Sequence, residues 1–439
     1  EEKALHGSGS ALLDFHQYER DPLGQVRKLH RMNGVYAEYD YDPIGQLVKA
    51  QAFEPNNTLR KNEDLGYAYD ASWNLAFRTN RTLIQAFTSD AANRLQSIVR
   101  EGTLTVVGSL EGAVTSVAVN TNAAEVYSDN TFATVGGLPL RDGNNLFVTV
   151  GTNAAGQLVT SAITKQTLPQ AVSLTYDFNG NLTGDGQRQF GYDDQNQLIS
   201  VMAPGQWKSE FAYDALGRRR TTRDYAWESG DWVKTNEVRY VCDRMLVLQE
   251  RDDSNVPKAT YTRGLDLSGT MQGAGGIGGL LARTDASGSA YYHSDAQGNI
   301  TALTDASGNV VARYLYDPFG QLLAKLGPLA EPNRYRFSSK EEHHSGIYYY
   351  EYRFYEPSLQ RWLNEDPLRE QGGLNLYSFV GSDPINRVDL FGLDPAFSGS
   401  IGMFAGLTGE EMVEVSRSAG LMLVPFGASF IPGIGEVMD

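Results

Sequence analysis

The sequence predicts an all-β chain: a spiral of stacked β-hairpins forming part of a shell, a small β-sandwich inserted into it, and a short helical carboxy-terminal tail. Three observations carry this expectation. A short unit built around an Asp and a turn recurs nine times. The 46 glycines and 24 tyrosines are in excess, as expected of many turns alternating with aromatic-rich strands. The rhythm then breaks between residues 101 and 165, where β-prone runs of another kind take over.

Residues 1–100 read as the first set of hairpins. Their units are Asp21–Val26, Tyr41–Leu47, Tyr69–Leu75 and Ser89–Leu95. In such a unit the Asp accepts a hydrogen bond from backbone two residues on, a following Pro presets φ, and Gly supplies positive φ. The flanks alternate in polarity, which is strand chemistry. A single hairpin is marginal alone, so the units must stack into a continuous sheet. Their spacing of 16 to 28 residues fits a repeat architecture.

Residues 101–165 carry short apolar runs at 107–119, 133–135 and 146–150, separated by Asn, Gly and Asp turns. An inserted immunoglobulin-like sandwich is expected, with an overgrown hairpin loop as the alternative. Residues 166–312 resume the hairpins with Tyr176–Leu182, Tyr192–Leu198, Tyr213–Arg219 and Ser294–Ile300. Residues 313–393 open on the last unit, Tyr316–Leu322, and become a denser aromatic core. After Leu393 the grammar stops. Over 394–439, Thr408–Arg417 reads as an amphipathic helix with an acidic first turn. The apolar stretch 419–435 falls short of the ~20 residues a membrane span needs and is broken by two prolines, so burial or docking is expected.

Composition excludes several functions. A formal net charge of −16 opposes general binding of nucleic acid or of anionic membranes. The lone Cys242 can form neither an intrachain disulfide nor a zinc framework. The start at Glu1 lacks a charged and apolar leader, so an internal or processed piece is expected, with any export signal outside it. The GxGxxG stretch 273–278 leads into another turn rather than a helix, so it reads as close backbone packing, not a dinucleotide site. Glu341-Glu342-His343-His344 reads as a solvated loop rather than a metal site, because adjacent strand residues face opposite ways. The tyrosine rows read as cross-strand packing, with carbohydrate binding open for exposed members.

Two acidic elements stand 23 residues apart near the end: Arg361–Pro367, containing Asp366, and Asp389–Leu393. Paired carboxylates with a peptide bond a few residues beyond the second are the raw material for self-cleavage. Here the sequence resembles the RHS family. Its units are similar to YD (tyrosine–aspartate) repeats over roughly residues 10–100 and 171–393. From Arg313 onward the motifs resemble the RHS-associated core in order: Arg313–Gly320, Tyr335–Lys340, Gly346–Tyr350, Tyr352–Tyr355, Pro357, Arg361-Trp362, Asp366-Pro367, Gly373–Tyr377 and Asp389–Leu393.

The resemblance implies a hollow β shell around a carboxy-terminal toxin, in a polymorphic toxin or the toxin-carrying component of a Tc complex. It implies that the core, residues 313–393, is an aspartic self-protease. Carried over, Asp366 and Asp389 are the catalytic pair, Arg361 the nearby cation, and Leu393–Asp394 the bond cut. One departure stands out: Leu390 follows Asp389 where the family has Pro. Asp394 is no nucleophile, so an acyl shift onto the downstream residue is unavailable. No cofactor or metal is expected. The implied partners are the chain's own carboxy-terminal toxin region, a secretion-apparatus or toxin-complex component and an immunity protein; the implied location is secreted or at a bacterial cell envelope. Two other readings stay open: that both Asp residues merely initiate turns, and that the chain is a non-catalytic YD-repeat surface protein for adhesion or carbohydrate binding.

Overall fold

Each Asp of the repeat opens its turn in the same way. Asp42 Oδ1 accepts the N–H groups of Ile44 (3.0 Å) and Gln46 (2.8 Å). The pair recurs at Asp70, Asp193, Asp214, Asp295 and Asp317. Three residues after the Asp the backbone turns left-handed, and Gly45 (φ +91°) or Asn196 (φ +60°) meets that demand. The tyrosine of the unit links neighbours. Tyr41, Tyr69, Tyr213 and Tyr316 donate their hydroxyls to the carbonyls of Val26, Leu47, Leu198 and Ile300, at 2.7 to 2.9 Å. Each acceptor is the aliphatic residue that closes the preceding unit, so one side chain both packs and ties successive hairpins.

The computed structural model describes residues 2–7, 10–393 and 395–397. Strands from Glu2–His6 to Leu95–Glu101 pair antiparallel in chain order, and Ala171–Ser173 completes a ten-stranded sheet. Between the last two of these strands the chain leaves the sheet. Residues 103–167 form a six-stranded antiparallel sheet and a two-stranded ribbon, Thr103–Leu104 with Leu138–Pro139. Leu104, Val117, Val119, Phe132, Leu138 and Phe147 give this insert its own core. Ala171 then pairs with Val99, where the excursion began. Buried Arg60 fastens the insert to the wall, with ion pairs to Glu63 (2.7 Å), Glu54 (2.5 Å) and Asp129 of the insert (2.6 Å).

A fourteen-stranded antiparallel sheet follows, from Thr175–Tyr176 to Leu322–Leu326, again in chain order. Its end meets the beginning of the first sheet. Asp14 accepts from Thr301 (2.5 Å) and contacts His293 (2.9 Å), Arg313 donates to the Leu13 carbonyl (2.6 Å), and Lys3 donates to the Asp295 carbonyl (2.8 Å). The hairpin ribbon thus wraps until its two ends touch.

From Tyr335 the chain turns inside the wrap. Tyr348, Tyr350, Tyr355, Trp362 and Tyr377 are fully buried. One apolar cluster joins Tyr39, Leu47 and Tyr67 of the first sheet to Phe337, Tyr355 and Phe379 of this plug. A second joins Leu95, Phe190 and Phe211 of the wall to Ile347, Phe354 and Leu363. Tyr355 and Phe379 stack with centroids 3.9 Å apart. The strands Val310–Tyr316 and Leu322–Leu326 belong to the wall, so the inward turn comes after the last repeat. The helix expected over 408–417, the apolar stretch 419–435 and Asp394 lie outside the described residues.

Candidate functional site

Asp366 follows the buried strand Arg361–Trp362 and opens a turn. Its Oδ1 accepts the Leu368 N–H (2.7 Å), and its own N–H donates to the Leu376 carbonyl (3.0 Å). Asp389 ends the strand Arg387–Asp389, which pairs with Pro395–Phe397 so that Asp389 lies opposite Pro395. Its Oδ1 collects the N–H groups of Phe391 (3.2 Å), Gly392 (2.7 Å) and Leu393 (3.1 Å). The backbone just before the expected cut is therefore folded around the Asp389 carboxyl. Those three N–H groups come from residues 391–393, so the loop forms with Leu390 in place of Pro.

The second oxygens do something else. Asp366 Oδ2 lies 2.6 Å and Asp389 Oδ2 3.8 Å from the same Arg353 Nη2. All three side chains are buried. Each carboxylate thus spends one oxygen on its turn and aims the other at a shared guanidinium. Both Asp residues initiate turns, and their second oxygens converge on one guanidinium.

Arg353 comes from the strand Arg353–Glu356. It also donates to the carbonyls of Gly392 and Leu376, the latter at 3.1 Å, and lies 4.3 Å from the Trp362 ring centroid. One residue therefore holds three stretches of chain together. The cation beside the pair is Arg353, not Arg361. Arg361 donates to the Asn93 carbonyl and lies 4.8 Å over the Tyr377 ring, where burial lowers its pKa. Its neighbour Trp362 carries the link to the site, through Arg353.

The Leu393 carbonyl lies on the Asp366 side of the pair. A Cβ placed on Gly372 would lie 2.8 Å from Asp366 Oδ2 and 2.9 Å from the Leu393 oxygen. The missing side chain leaves a small space flanked by that carboxyl and that carbonyl. Gly392, at φ +79°, is required for a similar reason, since a Cβ there would meet the Tyr350 carbonyl at 2.9 Å.

The glycine-rich stretch supports the loop from behind. A Cβ on Gly275 would stand 2.1 Å from the Leu390 oxygen. Buried Lys340 donates to the carbonyls of Leu390 (2.9 Å) and Gly275 (3.0 Å), and pairs with Glu351 at 2.8 Å. Burial pushes the Asp389 pKa up, while Arg353 and the three N–H groups pull it down; burial wins. Burial likewise raises Glu351, against Lys340.

The histidines lie in a loop, as expected, but His343 is buried in it rather than solvated. His343 and His344 lie in a turn, not a strand, with ring centroids 4.1 Å apart and both near Asp224. Strand alternation therefore does not apply to them.

Comparison with known proteins matches two stretches of the repeats to a family. The RHS Repeat family model matches residues 192–226 and 295–329. The tRNA3(Ser)-specific nuclease WapA of Bacillus spizizenii is 26% identical over 260 residues, 57% of this chain and 10% of that protein. The double-stranded DNA deaminase toxin A of Burkholderia cenocepacia is 29% identical over 249 residues, 52% of this chain and 17% of that protein. The crystal structure of TcdB2-TccC3 aligns over 89% of this chain and 21% of its own, at 18% identity and a TM-score of 0.41. The chain spans between a tenth and a fifth of the length of these proteins. Two stretches of its repeat thus match the RHS Repeat family, and the relatives it resembles include a nuclease and a deaminase toxin.

Proposed function

We propose that this RHS-repeat chain encloses a carboxy-terminal toxin and severs it by hydrolysing its own Leu393–Asp394 bond. One observation supports this above the others: two buried carboxyls far apart in sequence share a guanidinium beside the Leu393 carbonyl. In this reading Asp389, whose pKa burial raises, is the proton donor toward the Leu393 carbonyl oxygen. Asp366, paired to Arg353, takes the proton of the attacking water and hands it to the Asp394 nitrogen as the C–N bond breaks, while Asp389 recovers its proton as the Leu393 carboxyl forms. The loop wrapped on Asp389 holds the peptide in place, so the reaction is intramolecular with a high effective molarity. The carbonyls that Arg353 and Lys340 bind, those of Gly392 and Leu390, fix the loop just after Asp389.

In this reading the sheets are the container wall and the toxin region is the chain's own partner. A toxin-complex or secretion component, and an immunity protein, are the further partners; the place of action is outside the producing cell or at its envelope. The test is to purify the full chain and compare native gel filtration with denaturing electrophoresis. The expected result is two pieces that co-elute when native and separate when denatured, and a single uncut chain for Asp366→Asn and for Asp389→Asn. A wild-type chain that stays whole favours a non-catalytic surface protein for adhesion or carbohydrate binding.

A further inference from the structure

The turn His343–Gly346 meets the wall at a cluster that the self-cleavage chemistry does not use. Ser209 and Asp224 are directly opposed on the paired strands Trp207–Tyr213 and Arg219–Glu228. The register shifts just after Asp224, against the next strand, as at bulges that re-aim a side chain. Above them sit the two rings. Asp224 Oδ1 lies 3.5 Å from His344 Nε2 and 3.9 Å from His343 Nε2. Ser209 Oγ lies 2.6 Å from Asp224 Oδ1, 2.9 Å from His344 Nε2 and 3.0 Å from His343 Nε2.

We infer that Asp224, His343 and His344 form a site for a divalent transition metal of zinc-like preference, which staples the plug to the wall. Both imidazoles present the same nitrogen, Nε2, to one carboxylate oxygen, and all three ligand atoms lie within 4.8 Å of one another. Tetrahedral zinc with bonds of about 2.0 to 2.2 Å separates neighbouring ligand atoms by about 3.3 to 3.6 Å; the His344–Asp224 distance of 3.5 Å matches this, and the His343–Asp224 distance of 3.9 Å must close by a few tenths of an ångström. Two imidazoles and a carboxylate suit zinc and its neighbours rather than calcium or magnesium.

A nucleophilic relay does not fit the same atoms. It needs the Ser and the Asp on opposite nitrogens of one ring, and here both approach Nε2. Ser209 is also fully buried. The rings are held from outside as metal ligands are: His343 Nδ1 contacts Ser345 Oγ at 2.8 Å, Phe211 lies edge-on to His343, and Trp207 edge-on to His344. The His344 side chain, 31% exposed, gives an ion its way in. The Ser209 hydroxyl bridges the three ligands by hydrogen bonds, a role the ion takes over.

The test is calorimetric titration of zinc chloride into the metal-stripped full chain. The expected result is one zinc per chain, with affinity at least tenfold weaker in His344→Gln and in Asp224→Asn. Zinc also raises the thermal midpoint of the wild type and not of His344→Gln. Cobalt(II) in place of zinc gives the visible absorption of a tetrahedral site. The exposed ring of His344 makes its variant the safe one for folding, checked by an unchanged circular dichroism spectrum without metal. Failure of the wild type to take up zinc, or equal uptake by both variants, overturns the site. Neither outcome depends on whether the chain cuts itself.

Discussion

Arg353 connects the two candidate carboxylates to the Gly392 and Leu376 carbonyls, and its loss leaves all four without that donor. Arg353→Met is expected to cost about 3 to 5 kcal/mol, the penalty of a buried pair deprived of one partner, read from urea denaturation. A cost below about 1 kcal/mol contradicts its role as the tie between the loops. Asp317 is expected to make stability depend on pH. Buried, it titrates at about 6 in the folded chain against an ordinary 3.8, so burial opposes its charge and the nearby Arg78 only partly offsets this. A raised carboxyl pKa means the stabilising share is full below pH 3.8 and lost as pH rises through about 6. Wild-type stability should therefore fall between pH 4 and pH 7 by roughly 2 to 3 kcal/mol more than that of Asp317→Asn. Equal slopes would refute this. Among single residues, Asp366 and Asp389 stood out in the sequence because their motifs stand in order with the peptide bond close behind. Arg353 was hidden because sequence does not show which arginine of a Tyr/Arg-rich stretch points inward. The remaining signal was physical: an arginine inside an aromatic strand must find partners for its charge and its N–H groups. Arg361 met the same demand with a carbonyl and a ring.

The hairpin grammar could be read almost entirely from Asp, Gly and Asn, because each turn depends on a short-range hydrogen bond and a left-handed residue. Trp73 is the exception that contacts cannot announce, holding the left-handed position at φ +64° where other units use Gly or Asn. The role of the tyrosines was only partly legible. Cross-strand packing follows from composition, whereas the hydroxyl bond to the preceding unit requires knowing the register. Tyr316→Phe tests that bond. It strips the Ile300 carbonyl of a 2.8 Å donor while leaving the ring in place, and should cost about 1 kcal/mol by thermal or chemical denaturation. No measurable loss would mean that the tyrosine ladder is packing alone. At the histidine turn the strand alternation assumed in the sequence reading does not apply, for a definite reason. Two residues after the strand Glu341–Glu342 the chain bends, and the period of two that separates neighbouring side chains ends with it.

Taken whole, the molecule is a ribbon whose ends meet around an aromatic plug, and only the ribbon was visible in the repeats. Closure rests on contacts between residues some 280 to 300 positions apart, such as Asp14 with His293 and Thr301, which no local pattern encodes. Asp14→Ala should loosen that seam by about 2 to 3 kcal/mol, because it removes the carboxylate that His293 and Thr301 contact. Limited proteolysis should then cut first in residues 2–20; protection equal to wild type would show that the seam does not hold the wrap shut. The central claim is that this wrap brings Asp366 and Asp389 onto one bond. It is tested most directly by intact-mass spectrometry of the purified wild-type chain beside Asp366→Asn and Asp389→Asn. The account predicts wild-type pieces of residues 1–393 and 394–439, and both variants whole. A whole wild-type chain, the same cut persisting in both variants, or a new amino terminus at Pro395 from acid scission would contradict it.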